Sequence, residues 1–301
     1  MDEIARLVLA AIARDEPLTP AAVTVLLRHY VAHGRDEVAT GLSAALTFAL
    51  DRRPSDTLSD GRPAWLSVFV EAQSVSDDER IGVEVAALAD ALRREWPTRA
   101  GVAQAMRSIA ACLDAAGIAP RVQTDPPVGD GLLAAAIDEL ERIVGRAYEP
   151  GEGLSRAPGS DARGTLEDHV HTAVALLAGY RVTGRLPYSM LAEELMRFAR
   201  RCWWSDEAGC FLETDAPEAA TDERVAVNCD AVRVLSRISA LHADPEYRQA
   251  VVVADGSEGV TNFGDADRIL AWLGRSYRAH RANGDVAPEY AIALGERLCI
   301  R

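Results

Sequence analysis

Residues 165–213, TLEDHVHTAVALLAGYRVTGRLPYSMLAEELMRFARRCWWSDEAGCFLE, contain the pattern that decides the fold. Two stretches with the apolar spacing of a helix are joined by a short turn at Gly184. A short polar turn with glycine reverses the chain, so the two helices are predicted to pack as an antiparallel hairpin. Credible strands are nearly absent from the sequence.

The same unit recurs along the chain. In residues 20–33, for example, Val23, Leu26, Leu27 and Tyr30 share one helix face. Comparable junctions lie near Gly34, Pro97, Tyr148, Gly184, Ala243 and Gly284. Six junctions predict six helical hairpins, formed by about 12 or 13 helices. One hairpin cannot cover both of its faces, so repeated hairpins are expected to stack into a solenoid or close into a ring.

Composition excludes several classes of function. The 301 residues are 49% hydrophobic and 26% charged, which is typical of a globular chain. With 32 basic and 46 acidic residues the net charge is −14, so we expect no nucleic-acid partner. All 32 basic residues are arginine, which excludes mechanisms that need a phosphate-loop lysine, a kinase lysine or a Schiff base.

The sequence also predicts a compartment. Charged residues interrupt the apolar residues of the N-terminal stretch 1–17, which therefore lacks the apolar core of a secretory signal. No run approaches the ~20 apolar residues that span a bilayer, so no membrane partner is expected. The five cysteines are odd in number and show no CxxC spacing, as in reduced thiols. We therefore predict a cytoplasmic protein.

Residues 160–250 resemble the six-hairpin helical toroids. The resemblance is strongest to the helical part of the thioredoxin-domain-containing spermatogenesis-associated proteins, in which L-[DE]-D-[HY] opens an inner helix. N-acylglucosamine 2-epimerases share the hairpin pattern more distantly. The matching positions are Leu166, Glu167, Asp168, His169, Thr183, Gly184, Trp204, Asp206, Gly209 and Phe211, with Asn228 at the opening of the next hairpin.

This resemblance implies an all-α fold, an (α/α)6 toroid built from six helical hairpins. We expect residues 1–301 to form it as a single domain. In such rings the ends of the inner helices line a central cavity, and sugar-acting members place carboxylates, histidines and aromatic side chains there.

Acid/base chemistry is predicted at two helix openings. Asp168, His169 and His171 open one helix, and Asp230 is expected in the first or second turn of another. A carboxylate that orients an imidazole is a common acid/base unit. The alternative for Asp168 is a capping box with Thr165, in which its carboxylate binds backbone amides at the helix start.

Five further residues are predicted to bind substrate. Aromatic rings stack on the apolar faces of sugars, and polar groups bind sugar hydroxyls. These residues are Glu167, Trp203, Trp204, Phe211 and Asn228. For the aromatic residues the alternative is core packing.

No metal or cofactor is expected. His169 and His171 lie two apart and point in nearly opposite directions on a helix, which disfavours shared metal binding. The cysteine spacing matches no common zinc pattern, and phosphate-binding and dinucleotide motifs are absent from the sequence.

We therefore expect a protein with a small, sugar-like ligand, either a sugar epimerase/isomerase or a glycoside hydrolase-like enzyme. The alternative is a non-catalytic helical scaffold or binding module. A terpene-cyclase-like toroid is disfavoured because its aspartate-rich motif is missing. The sequence leaves the oligomeric state open.

Overall fold

The computed structural model describes most of the chain. The described residues are 2–14, 16, 18–52, 54–57, 61–96, 101–118, 131–157, 159–213, 222–251, 258–279 and 287–299. The junctions predicted at Pro97 and Gly284 lie outside them. Within the described residues helices predominate, as the apolar periodicity predicted.

Internal contacts divide the chain into two compact units. Unit 1 comprises Met1–Arg99 and Ser108–Glu139, and unit 2 comprises Ala100–Arg107 and Leu140–Arg301. Helices α7 (Val102–Ile118) and α8 (Leu132–Ala147) each contribute residues to both units. The single domain expected from the sequence stays a prediction.

Unit 1 contains the N-terminal helices, in which α2 packs on α1, α3 and α5, and α5 packs on α6. Their bounds are α1 (Asp2–Ala13), α2 (Pro20–His33), α3 (Asp36–Arg52), α4 (Pro54–Thr57), α5 (Arg62–Ala72) and α6 (Glu79–Glu95). Gly34 ends α2 with a φ of 61°, and its N–H donates to the carbonyl of Tyr30. This left-handed residue forms the turn into α3 that the sequence predicted.

Unit 2 contains the remaining helices and two short β-hairpins. Their bounds are β1 (Tyr148–Glu149), β2 (Gly153–Leu154), α9 (Leu166–Thr183), α10 (Leu186–Trp203), β3 (Trp204–Ser205), β4 (Cys210–Phe211), α11 (Asp222–Ala243), α12 (Pro245–Ala250), α13 (Glu258–Ala279) and α14 (Ala287–Cys299). Helix α9 packs on α10 and α11, and α11 packs on α13 and α14. The buried side chains between them are mostly Ala, Val, Leu and Ile.

The α9–α10 hairpin forms where the sequence predicted it. Thr165 caps the start of α9 through a capping box with Asp168. Gly184 ends α9 with a φ of 69°, and its N–H donates to the carbonyl of Tyr180. Pro187 lies in the first turn of α10, where a missing N–H breaks no helical hydrogen bond.

The four strands within the described residues are a part of the fold that the sequence did not predict. Each has two residues, and they pair as antiparallel hairpins, β1 with β2 and β3 with β4. The first hairpin follows directly on α8, and the second follows directly on α10. A strand is recognised in a sequence by the alternation of apolar and polar residues. A strand of two residues is too short to show this alternation.

Candidate functional site

A group of ionisable side chains meets inside unit 2 around His171. We call it the His171 cluster. It consists of Arg107 from α7, Glu167 and His171 from α9, Asp230 and Arg233 from α11, and Glu296 from α14. Four helices thus contribute, although these residues are far apart in the chain.

Both ring nitrogens of His171 have partners. The Nε2 atom lies 3.2 Å from Asp230 Oδ2, and Arg107 Nε donates to Nδ1 at 3.1 Å. Arg107 Nε also lies 3.3 Å from Nε2. Because an ionised carboxylate can only accept a hydrogen bond, the contact with Asp230 places the proton of the neutral ring on Nε2 and leaves Nδ1 to accept from Arg107. His171 is 4% exposed, so protein groups rather than water hold the imidazole in place.

Charges in the cluster follow from this geometry. Burial lowers the pKa of His171 and outweighs the nearby Asp230 carboxylate, so the imidazole is neutral. Burial also opposes ionisation of Asp230, but the hydrogen bond from His171 and the positive charge of Arg233 prevail and lower its pKa. The pair is therefore a neutral imidazole that donates to an ionised carboxylate.

Ion pairs extend the cluster in two directions. Arg107 pairs with Glu167, whose Oε1 also lies 3.9 Å from His171 Nδ1. Arg233 donates to Asp230 and to Glu296, each at 3.0 Å. The side chains of Glu167 and Asp230 are 45% and 25% exposed, so both reach solvent in part.

The sequence predicted part of the cluster. The one-face spacing of Glu167 and His171 is confirmed by their contact. Asp230 was placed too early in its helix, because α11 begins at Asp222 and Asp230 lies in its third turn. Arg107 and Glu296 were missed because they come from other helices, whereas the three-residue spacing of Asp230 and Arg233 was a usable signal.

The structure places Asp168 in a capping box with Thr165, which is the alternative role that the sequence predicted for it. Its Oδ2 accepts from the backbone N–H of Thr165 at 2.8 Å, and its Oδ1 accepts from the N–H of Ala103 at 2.9 Å. Both oxygens therefore bind backbone amides at the starts of α9 and α7. A catalytic role for Asp168 stays a prediction.

His169 is fully buried and has a partner at each ring nitrogen. Nδ1 lies 2.7 Å from the carbonyl oxygen of Thr165, and Nε2 accepts from the N–H of Leu154 at 3.0 Å. The ring stacks on Phe198 at 4.9 Å, and the edge of Trp203 lies 5.0 Å away. Burial lowers its pKa, so the ring is neutral with its proton on Nδ1.

Asn228 binds the second β-hairpin in a comparable way. Its Oδ1 accepts from the N–H of Phe211 at 3.0 Å, and its Nδ2 donates to the carbonyls of Phe211 and Arg224. Phe211 itself is buried against Trp204.

The guanidinium groups of Arg200 and Arg268 lie 5.5 and 5.0 Å from the ring centre of Trp204. Its indole N–H donates to Asp206 at 3.0 Å. Substrate binding by Trp203, Trp204, Phe211 and Asn228 stays a prediction.

No group of three His, Cys, Asp or Glu side chains arranged to hold a metal ion occurs in the described residues. Likewise, the helices seen in the described part of the chain include none that is long and apolar enough to cross a membrane.

Comparison with known proteins identifies the fold. No family model and no curated protein matches the sequence. Among solved structures, the chain is similar to the unsaturated glucuronyl hydrolase of Bacillus sp. GL1, an enzyme responsible for the degradation of glycosaminoglycan. The TM-score is 0.55 at 14% sequence identity, over 82% of this chain and 73% of that chain.

This likeness defines the class of protein by fold. The chain has the all-α fold of the (α/α)6 toroids, as its repeated hairpins predicted. The closer resemblance to the spermatogenesis-associated family and to the epimerases stays a prediction.

Proposed function

We propose that the protein is a carbohydrate-active enzyme of the glycoside hydrolase-like type and that the His171 cluster is its active site. The observation that carries the proposal is the pair of reachable carboxylates, Asp230 and Glu167, on either side of one buried imidazole. Glycoside hydrolysis commonly uses two carboxyl groups that flank the bond to be broken.

The distance between these carboxylates does not exceed the range used in glycoside hydrolysis. Each lies against a ring nitrogen of His171, at 3.9 Å for Glu167 and 3.2 Å for Asp230. The two nitrogens of one imidazole ring are separated by about 2 Å, so these carboxylate oxygens are at most about 9 Å apart. Carboxyl separations of about 5–9.5 Å serve retaining and inverting hydrolysis.

The charge state of Asp230 favours hydrolysis over epimerisation. Its lowered pKa makes it a stable carboxylate and a weak base. Removal of a proton from a sugar carbon or from water needs a stronger base, whereas an ionised carboxylate suits direct attack on a sugar. In this proposal Asp230 is the nucleophile, His171 holds its carboxylate in position, and Glu167 is the acid that gives the leaving oxygen its proton.

The other groups of the cluster fit a hydroxyl-rich ligand. Arg107 and Arg233 donate hydrogen bonds, while Glu167 and Glu296 accept them. A guanidinium also binds a carboxylate well, which makes sugars with a carboxylate group the first substrates to test. This choice agrees with the glycosaminoglycan-degrading activity of the structural neighbour.

A non-catalytic scaffold is the second candidate, and a specific observation favours it. The polar side-chain atoms of Asp168, His169 and Asn228 bind backbone groups of the protein itself. Such contacts stabilise helix starts and hairpins without any ligand.

The test is a hydrolysis screen with uronate-containing and neutral oligosaccharides, together with thermal-shift measurements. Asp230→Asn keeps the shape of the side chain and removes its charge, so we expect turnover to fall by about 10²–10⁴-fold. Asp90→Asn is the control, because the Asp90 side chain is exposed and pairs with Arg94 of its own helix in unit 1.

Two results would favour the scaffold. One is the absence of turnover and of any thermal shift at millimolar sugar. The other is wild-type turnover by Asp230→Asn. Should that variant fail to fold, Glu167→Gln tests the same site at a more exposed position.

A further inference from the structure

We infer that His169 and Asn228 are equivalent positioning residues, each of which locks a β-hairpin to a helix so that His171 and Asp230 face each other. The inference rests on the proposed function of that pair as the active site. It assigns His169 and Asn228 to the support of the site rather than to contact with the substrate.

The two β-hairpins occupy equivalent places. Each begins at the residue that follows a helix, α8 or α10, and each precedes the next long helix, α9 or α11. Their registers also correspond, because Leu154 pairs with Tyr148 and Phe211 pairs with Trp204. Leu154 and Phe211 are therefore equivalent residues, since each is the last of its hairpin.

Each of these last residues is held by one side chain from the following helix. The N–H of Leu154 donates to His169 Nε2, and the N–H of Phe211 donates to Asn228 Oδ1, both at 3.0 Å. The second polar atom of each side chain bonds the carbonyl four residues earlier, that of Thr165 or Arg224. An imidazole and a carboxamide thus make the same two connections.

The two proposed active-site residues follow His169 and Asn228 by the same number of positions. His171 follows His169 by two positions, and Asp230 follows Asn228 by two positions. Two helical positions correspond to a rotation of about 200°, so the holding side chain and the reacting side chain lie on nearly opposite faces. Fixing one face of α9 and of α11 therefore fixes the rotation of the face that carries His171 or Asp230.

The hairpins need such an attachment. Strands of two residues are too short to be stable by themselves, and a buried N–H requires an acceptor. Gly153 shows how closely the first hairpin approaches His169, because a Cβ added to this glycine would lie 2.5 Å from His169 Nε2.

The experiment compares His169→Gln with His169→Asn. The oxygen of glutamine reaches the place of Nε2 and can still accept from Leu154, whereas asparagine is too short to do so. We expect His169→Gln to behave as wild type. In His169→Asn, α9 gains rotational freedom and His171 becomes hydrated.

The readout is the imidazole signal of His171 in NMR titrations, which does not depend on activity. Burial lowers the pKa of His171. Loss of the hydrogen bond between Leu154 and His169 should therefore hydrate His171 and raise its titration midpoint toward the ordinary value of about 6.5. Asn228→Ala should instead lower this midpoint further, because the Asp230 carboxylate, which raises the pKa of His171, moves away from the ring. Where a substrate has been found, the rate should fall by about 10–100-fold in both variants.

Ser239→Ala is the control for α11, because it also removes a buried hydrogen bond, here to the carbonyl of Leu235, at a position about three helical turns beyond Asn228. An unchanged His171 signal in folded His169→Asn and Asn228→Ala would overturn the inference, as would an equal change in Ser239→Ala. If Asn228→Ala does not fold, Asn228→Ser replaces it, since a serine hydroxyl can still bond the carbonyl of Arg224 but is too short to reach the N–H of Phe211. Absence of sugar turnover in the wild type would remove the proposed function and leave this test intact.

Discussion

His169 and His171 illustrate how two similar side chains, two positions apart, acquire different environments. Helical geometry alone predicts that they point in nearly opposite directions. The structure places His169 against the β1–β2 hairpin and His171 against Asp230. Burial lowers the pKa of both imidazoles, but His171 adjoins the partly exposed carboxylates of Glu167 and Asp230.

Gly153 gives a prediction at the residue scale. Gly151 and Gly153 both have a φ of 82°, but only at Gly153 would a Cβ meet other atoms, those of His169 and Phe198. Alanine costs about 1–2 kcal/mol at either position because of its left-handed backbone. We expect Gly153→Ala to cost clearly more than Gly151→Ala, because it also disturbs the His169 contact.

Denaturant unfolding of both variants measures the difference in the free energy of unfolding. Equal losses would show that the hairpin does not depend on this close approach.

Stability should fall in mild acid. His169 and His171 have pKa values below that of an unfolded histidine, so the unfolded chain binds more protons as the pH falls. Their contribution is complete above the unfolded pKa of about 6.5 and is lost as the pH falls below it. We expect the denaturant concentration at the unfolding midpoint to stay constant between about pH 7 and 8 and to decrease below about pH 6.5.

His169→Gln cannot titrate in this range, so its decline should be shallower than that of the wild type. A protein that becomes more stable between pH 7 and pH 5.5 would contradict the prediction. Measurements at constant ionic strength separate this effect from screening of the net charge.

At the scale of elements, the α9–α10 hairpin was predictable because its signals are local. The Thr165–Asp168 capping box and the left-handed Gly184 involve residues within four positions of each other. The β-hairpins were not predictable, because their attachments to His169 and Asn228 span 15 and 17 positions and follow no period.

Gly184 gives a prediction for this hairpin. Its φ is 69°, and no atom lies near the position of an added Cβ. Gly184→Ala should therefore lower the free energy of unfolding by about 1 kcal/mol through backbone strain alone. Gly184→Asn should cost less, because asparagine tolerates the left-handed conformation better than alanine.

Thermal or denaturant unfolding distinguishes these variants. A larger loss for asparagine than for alanine would mean that space rather than backbone conformation limits this turn.

At the scale of the whole molecule, the net charge gives a prediction about nucleic-acid binding. A net charge of −14, with arginine as the only basic residue type besides histidine, opposes binding to a phosphate backbone. We expect no change in the fluorescence anisotropy of labelled duplex DNA at 50 mM salt with micromolar protein. Binding that weakens steeply as salt is added would contradict this prediction.

The sequence by itself determined the helical class, the repeated hairpins, the Gly184 turn and the contact between Glu167 and His171. Each depends on apolar periodicity or on residues within one or two helical turns, and such local preferences are visible in one dimension. Only the tertiary structure brought Arg107 and Asp230 to His171, from positions 64 and 59 residues away, and attached the β-hairpins to His169 and Asn228. These contacts depend on the packing and rotation of whole helices, which no local pattern encodes.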